Sequence, residues 1–143
     1  MASFRFDKFT LKAQEAVQAA QALADRESHQ QIEPEHLLVA LLGQPEGIVG
    51  PLLGKLGVRG DALRREAEAE VARLPKVSGA GGQYVGPRLK AVLDAAWAEA
   101  ERLKDDYCST EHLLVALAQE KDGAAARIPV SYTHLTLPTI YSV

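Results

Sequence analysis

The segment EHLLVAL at residues 35–41 occurs a second time, unchanged, at residues 111–117. The two segments are 76 residues apart, and Gly47 and Gly123 keep the same spacing. Seven identical residues in a chain of 143 are too many for a chance match, so the chain contains an internal duplication. Because both copies carry the same apolar face, we expect them to pack against each other about a pseudo-twofold axis.

Each copy begins upstream of the shared segment. The tripeptide LKA at residues 11–13 recurs at residues 89–91, an offset of 78, which indicates that the second copy is two residues shorter here. Apolar spacing predicts a long helix, a short loop and a helix that begins at Glu-His in each copy, with two further helices in the first. We therefore expect an all-α fold, a duplicated four-helix repeat, with the first copy at about 4–75 and the second at 87–128.

Two segments interrupt this pattern. Residues 76–86 are rich in glycine and have no helical period, so they are interpreted as the linker between the copies. Residues 129–143 contain no Asp, Glu, Lys or Arg, and their Thr, Tyr, Val and Ile favour strand over helix. Pro129 also stands where the first copy has Leu53. We expect residues 1–128 to form the domain, with the second repeat truncated, and interpret the rest as a non-native tail.

The composition fits one globular domain, with 47% apolar and 24% charged residues. The net charge of −3 disfavours a nucleic-acid partner, which is usually met by a basic surface. The single cysteine, Cys108, excludes an internal disulfide and favours a reducing, cytoplasmic setting. No segment has the ~18 consecutive apolar residues that span a bilayer, and the N-terminal segment lacks the apolar core of a signal peptide. We expect a cytoplasmic protein that does not act at a membrane.

The sequence offers little for catalysis. It has no G-x-x-x-x-G-K-[ST], Cys-x-x-Cys or His-Glu-x-x-His motif, and no set of nucleophile, base and orienting residue can be assembled. A small helical enzyme is therefore the least favoured function, and no metal or cofactor is expected in this chain. His36 and His112 are twins of the duplication and are interpreted as structural. Cys108 precedes a helix, but no base is beside it in sequence, so it is interpreted as a buried thiol.

Two helical copies that share EHLLVAL resemble the N-terminal repeat domain of the Clp ATPases. The segments IEPEHLL at 32–38 and LPKVSG at 74–79 are most similar to the ClpB chaperone, or disaggregase, subtype. The likeness covers residues 4–128. It implies that the parent protein is a homohexamer whose AAA+ modules, absent from this chain, bind ATP and magnesium. It further implies that this domain has no catalytic activity and binds unfolded or aggregated polypeptides.

By position, the resemblance places the client-contact residues of the family on Thr10, Asp105 and Glu111. Leu93 and Leu113 are candidates for an apolar groove between the copies. Each polar residue also has a structural explanation, since Thr10 can cap a helix, Asp105 lies at a helix end and Glu111 lies in a first turn. Both interpretations stay open. So does an alternative function, an adaptor-docking N-terminal domain of a protease-associated Clp unfoldase.

Overall fold

The computed structural model describes residues 6–76, 83–120 and 123–127. The α-helices are α1 Leu11–Arg26, α2 Pro34–Leu42, α3 Val49–Lys55, α4 Gly60–Ala72, α5 Pro87–Arg102 and α6 Thr110–Gln119. Short 3-10 helices lie at Phe6–Lys8 and Ala124–Arg127, and the two-residue strands are β1 Gln31–Ile32 and β2 Tyr84–Val85. The predicted all-α fold and the four helices of the first copy are confirmed. The interpreted tail at 129–143 and the linker residues 77–82 lie outside the described residues.

The two copies repeat with one offset throughout. Helices α1 and α5 each have 16 residues, and their N-caps, Thr10 and Gly86, are 76 residues apart. The prediction of a second copy two residues shorter is therefore wrong. An offset of 78 would align the buried Ala13 with the exposed Ala91, whereas the offset of 76 aligns it with the buried Leu89. The recurrence of the LKA tripeptide is not a guide to the alignment of the copies, because only one of its three side chains in α1 is buried.

Backbone contacts between the copies are exchanged reciprocally. Strand β1 pairs in parallel with β2, and the Gly86 N–H donates to the Ile32 carbonyl at 3.2 Å. At the equivalent positions 76 residues away, the Thr10 N–H donates to the Cys108 carbonyl at 2.9 Å. Such an exchange is the arrangement that a pseudo-twofold axis requires. Since β2 lies within the interpreted linker 76–86, that end of the linker is part of the fold.

One continuous core runs through both copies. Helix α1 presents a stripe of small buried side chains, which lets its backbone approach the neighbouring helices closely. Of the two helices that carry the shared segment, α6 buries all of its apolar side chains, whereas Val39, Ala40 and Leu42 of α2 are only partly buried. The fully buried large side chains include Leu37, Leu38, Leu41, Leu53, Leu89, Leu113 and Leu114. None of the described helices is long and apolar enough to cross a membrane.

Candidate functional site

A groove at one seam between the copies brings together two of the predicted contact residues. Its walls are residues 10–12 at the start of α1, residues 46–48 before α3, and residues 109–111 at the start of α6. The cavity has a volume of about 400 Å³. Thr10 and Glu111 both line it, whereas their contact with a client stays a prediction.

The remaining predicted contact residues lie elsewhere. Leu93 is 3% exposed and Leu113 is 0% exposed, and neither lines the groove. The prediction that they line a groove is therefore corrected, since both belong to the core. Helical spacing identifies the inward face of a helix, but it does not show whether that face meets a groove or the core. Asp105 also lies outside the groove lining and contacts the buried ring of His112 instead.

The apolar surface of the groove comes from two residues that the sequence analysis did not select. Leu11 is 66% exposed and Ile48 is 44% exposed, and both line the groove. They are two of four large apolar side chains that are exposed in the described part of the chain. Leu11 lies off the buried alanine stripe of α1, which is a signal that the sequence contained. Ile48 is the N-cap residue of α3 and lies just before its first turn.

The polar residues of the groove have defined structural roles. Thr10 is the N-cap of α1, and its Oγ1 accepts a hydrogen bond from the Ala13 N–H at 3.2 Å, which confirms the predicted cap. Glu111 lies in the first turn of α6, where the helix dipole favours negative charge. Glu111 is 3% exposed, and its Oε1 accepts a hydrogen bond from the Thr110 hydroxyl at 3.2 Å.

Asp105 acts on the groove through His112. The Ser109 N–H donates to His112 Nδ1 at 2.9 Å, so this nitrogen is unprotonated and the ring proton is on Nε2. His112 Nε2 lies 2.9 Å from Asp105 Oδ2 and donates to it. Ser109 and His112 thus form a capping box in which histidine takes the place usual for Glu or Gln. Asp105 fixes the ring that caps α6, and the start of α6 lines the groove.

The first copy repeats this cap with a different partner. The Glu33 N–H donates to His36 Nδ1 at 2.8 Å, and His36 Nε2 lies 2.9 Å from His29 Nδ1. Burial, and then the neighbouring His29, lower the pKa of His36 to about 4, so the ring is neutral near pH 7. The structural interpretation of the twin histidines is confirmed. No group of three or more potential metal ligands occurs among the described residues.

Cys108 has the properties of an inert thiol. It is 0% exposed, and burial raises its pKa to about 12. A thiol that stays protonated near neutral pH is a poor nucleophile and a poor metal ligand. The interpretation of Cys108 as a buried apolar side chain is therefore confirmed.

At the pseudo-twofold mate of the groove, an arginine covers the buried carboxylate. Glu35, the equivalent of Glu111, is the buried carboxylate of this second seam. Arg88 extends over it, with Nη2 at 2.9 Å from Glu35 Oε2 and Nε at 2.7 Å from Glu120 Oε2. A small cavity beside this pair, with Pro34, Glu35 and Glu120 in its lining, has a volume of about 10 Å³. In the part of the chain that the structure describes, the first seam is therefore open, and the second, called the closed seam, is covered by Arg88.

Comparisons with known proteins agree with this architecture. The sequence profile of the Clp repeat (R) N-terminal domain matches residues 8–130. Chaperone protein ClpB of Rhodopirellula baltica is 43% identical over 122 residues, which is 85% of this chain but only 14% of that protein. The Hsp104 N-terminal domain from Candida albicans superposes with a TM-score of 0.74 at 20% identity, covering 94% of this chain and 87% of that chain. A ClpV N-domain in complex with a VipB peptide superposes with a TM-score of 0.71 at 21% identity, covering 90% and 79% respectively.

Proposed function

This chain belongs to the Clp repeat N-terminal domain family, and we propose on that basis that it is the substrate-recognition domain of an ATP-dependent protein-disaggregating chaperone. It binds unfolded or aggregated polypeptides and passes them to AAA+ modules that lie outside this chain. The observation that carries the proposal is the open groove, where Leu11 and Ile48 are exposed beside a cavity of about 400 Å³.

The groove suits clients that share no sequence. Unfolded proteins have in common only that they expose apolar segments, and a shallow site with few polar groups accepts many of them. Burying Leu11 and Ile48 would contribute roughly 1.5–3 kcal/mol each, against the cost of ordering a flexible ligand. Before that cost, the sum of about 3–6 kcal/mol corresponds to a dissociation constant between several millimolar and a few tens of micromolar. Weak binding of this kind suits a first contact from which the client must later leave.

We place the remaining activities in the parent protein. A homohexamer would present six such grooves, and their joint use on one aggregate would raise a weak affinity through multivalency. ATP and magnesium would be bound by the AAA+ modules, and this chain would have no catalytic activity of its own. The buried Cys108 thiol supports a reducing, cytoplasmic location. Neither nucleic acid nor a membrane is proposed as a partner.

An adaptor-docking domain of a protease-associated Clp unfoldase is the second candidate. It is favoured by the ClpV N-domain, which shares this fold and is bound to a VipB peptide, a defined partner. The two functions differ in the ligand that the groove selects. A disaggregase domain would hold many unfolded sequences weakly, whereas an adaptor-docking domain would hold one folded partner tightly and ignore unfolded chains.

Fluorescence anisotropy separates these candidates. A labelled, permanently unfolded protein is titrated with the 143-residue chain and with the variant Leu11→Ser/Ile48→Ser. We expect saturable, weak binding that the double variant reduces severalfold. Tyr107→Ser is the matched control, because Tyr107 is 53% exposed and does not line the groove. Tight binding of a folded adaptor, together with no binding of the unfolded protein, would favour the second candidate.

A further inference from the structure

The turn between α2 and α3 forms one wall of the groove and has an unfavourable backbone conformation. It contributes residues 46–48, including the exposed Ile48, to the lining. Glu46 has φ +58°, in the left-handed region that residues other than glycine rarely adopt. A residue keeps such a conformation only where the surrounding structure holds it. Contacts with a neighbouring segment are therefore required to fix this wall.

Two hydrogen bonds join this turn to the first turn of α1, which forms another wall of the groove. Gln44 Nε2 donates to the Lys12 carbonyl at 2.8 Å, and Lys12 Nζ donates to the Pro45 carbonyl at 3.1 Å. Each side chain thus binds the backbone of the other segment. Leu11 is the neighbour of Lys12 in α1. The reciprocal pair therefore fixes the wall that carries Ile48 relative to the wall that carries Leu11.

The Gln44 side chain is packed against the turn that it anchors. Its Oε1 is buried, and a Cβ atom at Gly47 would lie 3.1 Å from Gln44 Cβ and 3.4 Å from that Oε1. The Gly47 N–H also donates to the Gln44 carbonyl at 3.4 Å. Glycine at position 47 thus leaves the space from which the amide reaches Lys12. Gln44 is not among the residues that line the groove, so its effect on the groove passes through the turn.

The closed seam joins the same two positions by different chemistry. Arg88 is the equivalent of Lys12 at the offset of 76, and Glu120 likewise corresponds to Gln44. Arg88 Nε donates to Glu120 Oε2 at 2.7 Å, so this seam is joined side chain to side chain, and the guanidinium also covers Glu35. In the open seam the two side chains instead reach backbone carbonyls. Both copies therefore link the start of their first helix to the residues that follow their second.

We propose that Gln44 is a positioning residue for client binding, with Lys12 as its partner. Their hydrogen bonds hold the turn of residues 43–48 against α1, so that Leu11 and Ile48 face one cavity before a client arrives. A groove that is already formed avoids the free-energy cost of ordering its wall on binding, and its affinity is correspondingly higher. This role rests on the proposed function and deepens it, because it names the residues that set the geometry of the same groove.

A double-mutant cycle tests this role by fluorescence anisotropy, with the labelled, permanently unfolded protein and the full 143-residue chain. We expect Gln44→Ala to weaken binding about threefold to tenfold, the effect of losing one hydrogen bond. In the Ile48→Ser background, Gln44→Ala should weaken binding no further, because the side chain that Gln44 positions is absent. An equal loss in both backgrounds, or unchanged binding by folded Gln44→Ala, would overturn the proposal.

Glu120→Ala is the matched control, since it removes the equivalent residue of the closed seam and should leave the affinity unchanged. A similar loss from Glu120→Ala would show a general effect on the fold and would contradict the proposal. If Gln44→Ala does not fold, Lys12→Met is measured instead, because it removes the Pro45 hydrogen bond and leaves the Gln44 amide in place. Lys12→Met should weaken binding in the unsubstituted chain but not in the Ile48→Ser background, and the opposite pattern would contradict the proposal.

Amide order parameters from NMR give a second readout of the same role. Those of residues 46–48 should fall in Gln44→Ala without client, and unchanged values would contradict the proposal. If Leu11→Ser/Ile48→Ser weakens binding and folded Gln44→Ala does not, the client-binding function holds and the positioning role fails. If the unsubstituted chain does not bind the unfolded protein, the proposed function itself fails.

Discussion

Asp105 accepts a hydrogen bond from the buried ring of His112, with Oδ2 and Nε2 2.9 Å apart. The first copy has His29 at the equivalent position, and its Nδ1 lies 2.9 Å from His36 Nε2. At this position the second copy has an aspartate and the first copy a histidine, and each contacts the histidine ring that caps the following helix. Asp105 thus positions the ring that caps α6, and this structural role yields a test.

Asp105→Ala should lower the stability, because it removes the carboxylate that accepts the hydrogen bond of the buried His112 Nε2–H. We expect a loss of about 1–3 kcal/mol in the free energy of unfolding. Asp105→Asn retains an oxygen acceptor and should cost clearly less. Urea unfolding of the two variants measures the difference. Equal losses for Ala and Asn would show that the carboxylate charge matters rather than the hydrogen bond.

The stability should fall between about pH 6.5 and pH 4. The pKa of His36 is lowered from 6.5 to about 4, so the unfolded chain binds a proton in this range that the folded chain excludes. The contribution is complete above pH 6.5 and is lost as the pH falls through the folded-state pKa, by up to about 3 kcal/mol. Urea unfolding at a series of pH values measures it.

His36→Gln is the control for the pH effect. Glutamine is a usual partner in a capping box, so this variant keeps an acceptor for the Glu33 N–H but has no titrating ring. The unfolding free energy of the variant should depend less steeply on pH between 6.5 and 4. An unchanged slope would mean that other groups cause the loss.

Arg88→Ala should destabilise the seam between the copies. The change leaves the Glu35 side chain, which is 8% exposed, without its counter-ion. We expect a loss of about 1–3 kcal/mol, less than for a fully buried pair, because the Arg88 side chain is itself 43% exposed. Lys12→Ala is the equivalent change in the open seam and should stay within about 0.5 kcal/mol. Similar losses from both variants in thermal unfolding would contradict the asymmetry of the seams.

Two glycines near the end of α3 should respond oppositely to alanine. Gly57 has φ +76° and follows the helix, with the Val58 N–H donating to the Leu53 carbonyl at 2.9 Å. Gly57→Ala should cost about 1 kcal/mol, because alanine is strained in this left-handed conformation. Gly54 lies inside α3 with open space around its Cα, so Gly54→Ala should stabilise by about 0.5–1 kcal/mol. Shifts of the same sign in thermal unfolding would contradict this assignment of the helix end.

The fold was predictable because the shared segment at 35–41 and 111–117 marks the duplication directly. The twin histidines were also interpreted correctly, since a duplicated position needs no functional explanation. The groove was only partly predictable: periodicity separates an inward from an outward face, but it does not show where two copies leave a gap. The asymmetry between Arg88 and Lys12 becomes visible only with the offset of 76 that the structure establishes. The offset of 78 aligned Arg88 with Thr10, so the equivalence of Arg88 and Lys12 could not be seen from the sequence.

The most direct test of client binding at the open seam is a titration of the isotope-labelled chain with an unfolded protein, followed by the shifts of backbone amide resonances in NMR. The account predicts that the perturbed amides belong to residues 10–12, 46–48 and 109–111. The equivalent residues of the closed seam, 86–88 and 33–35, should remain unperturbed. Perturbations centred on the closed seam, or none at the groove at saturating client, would contradict the account.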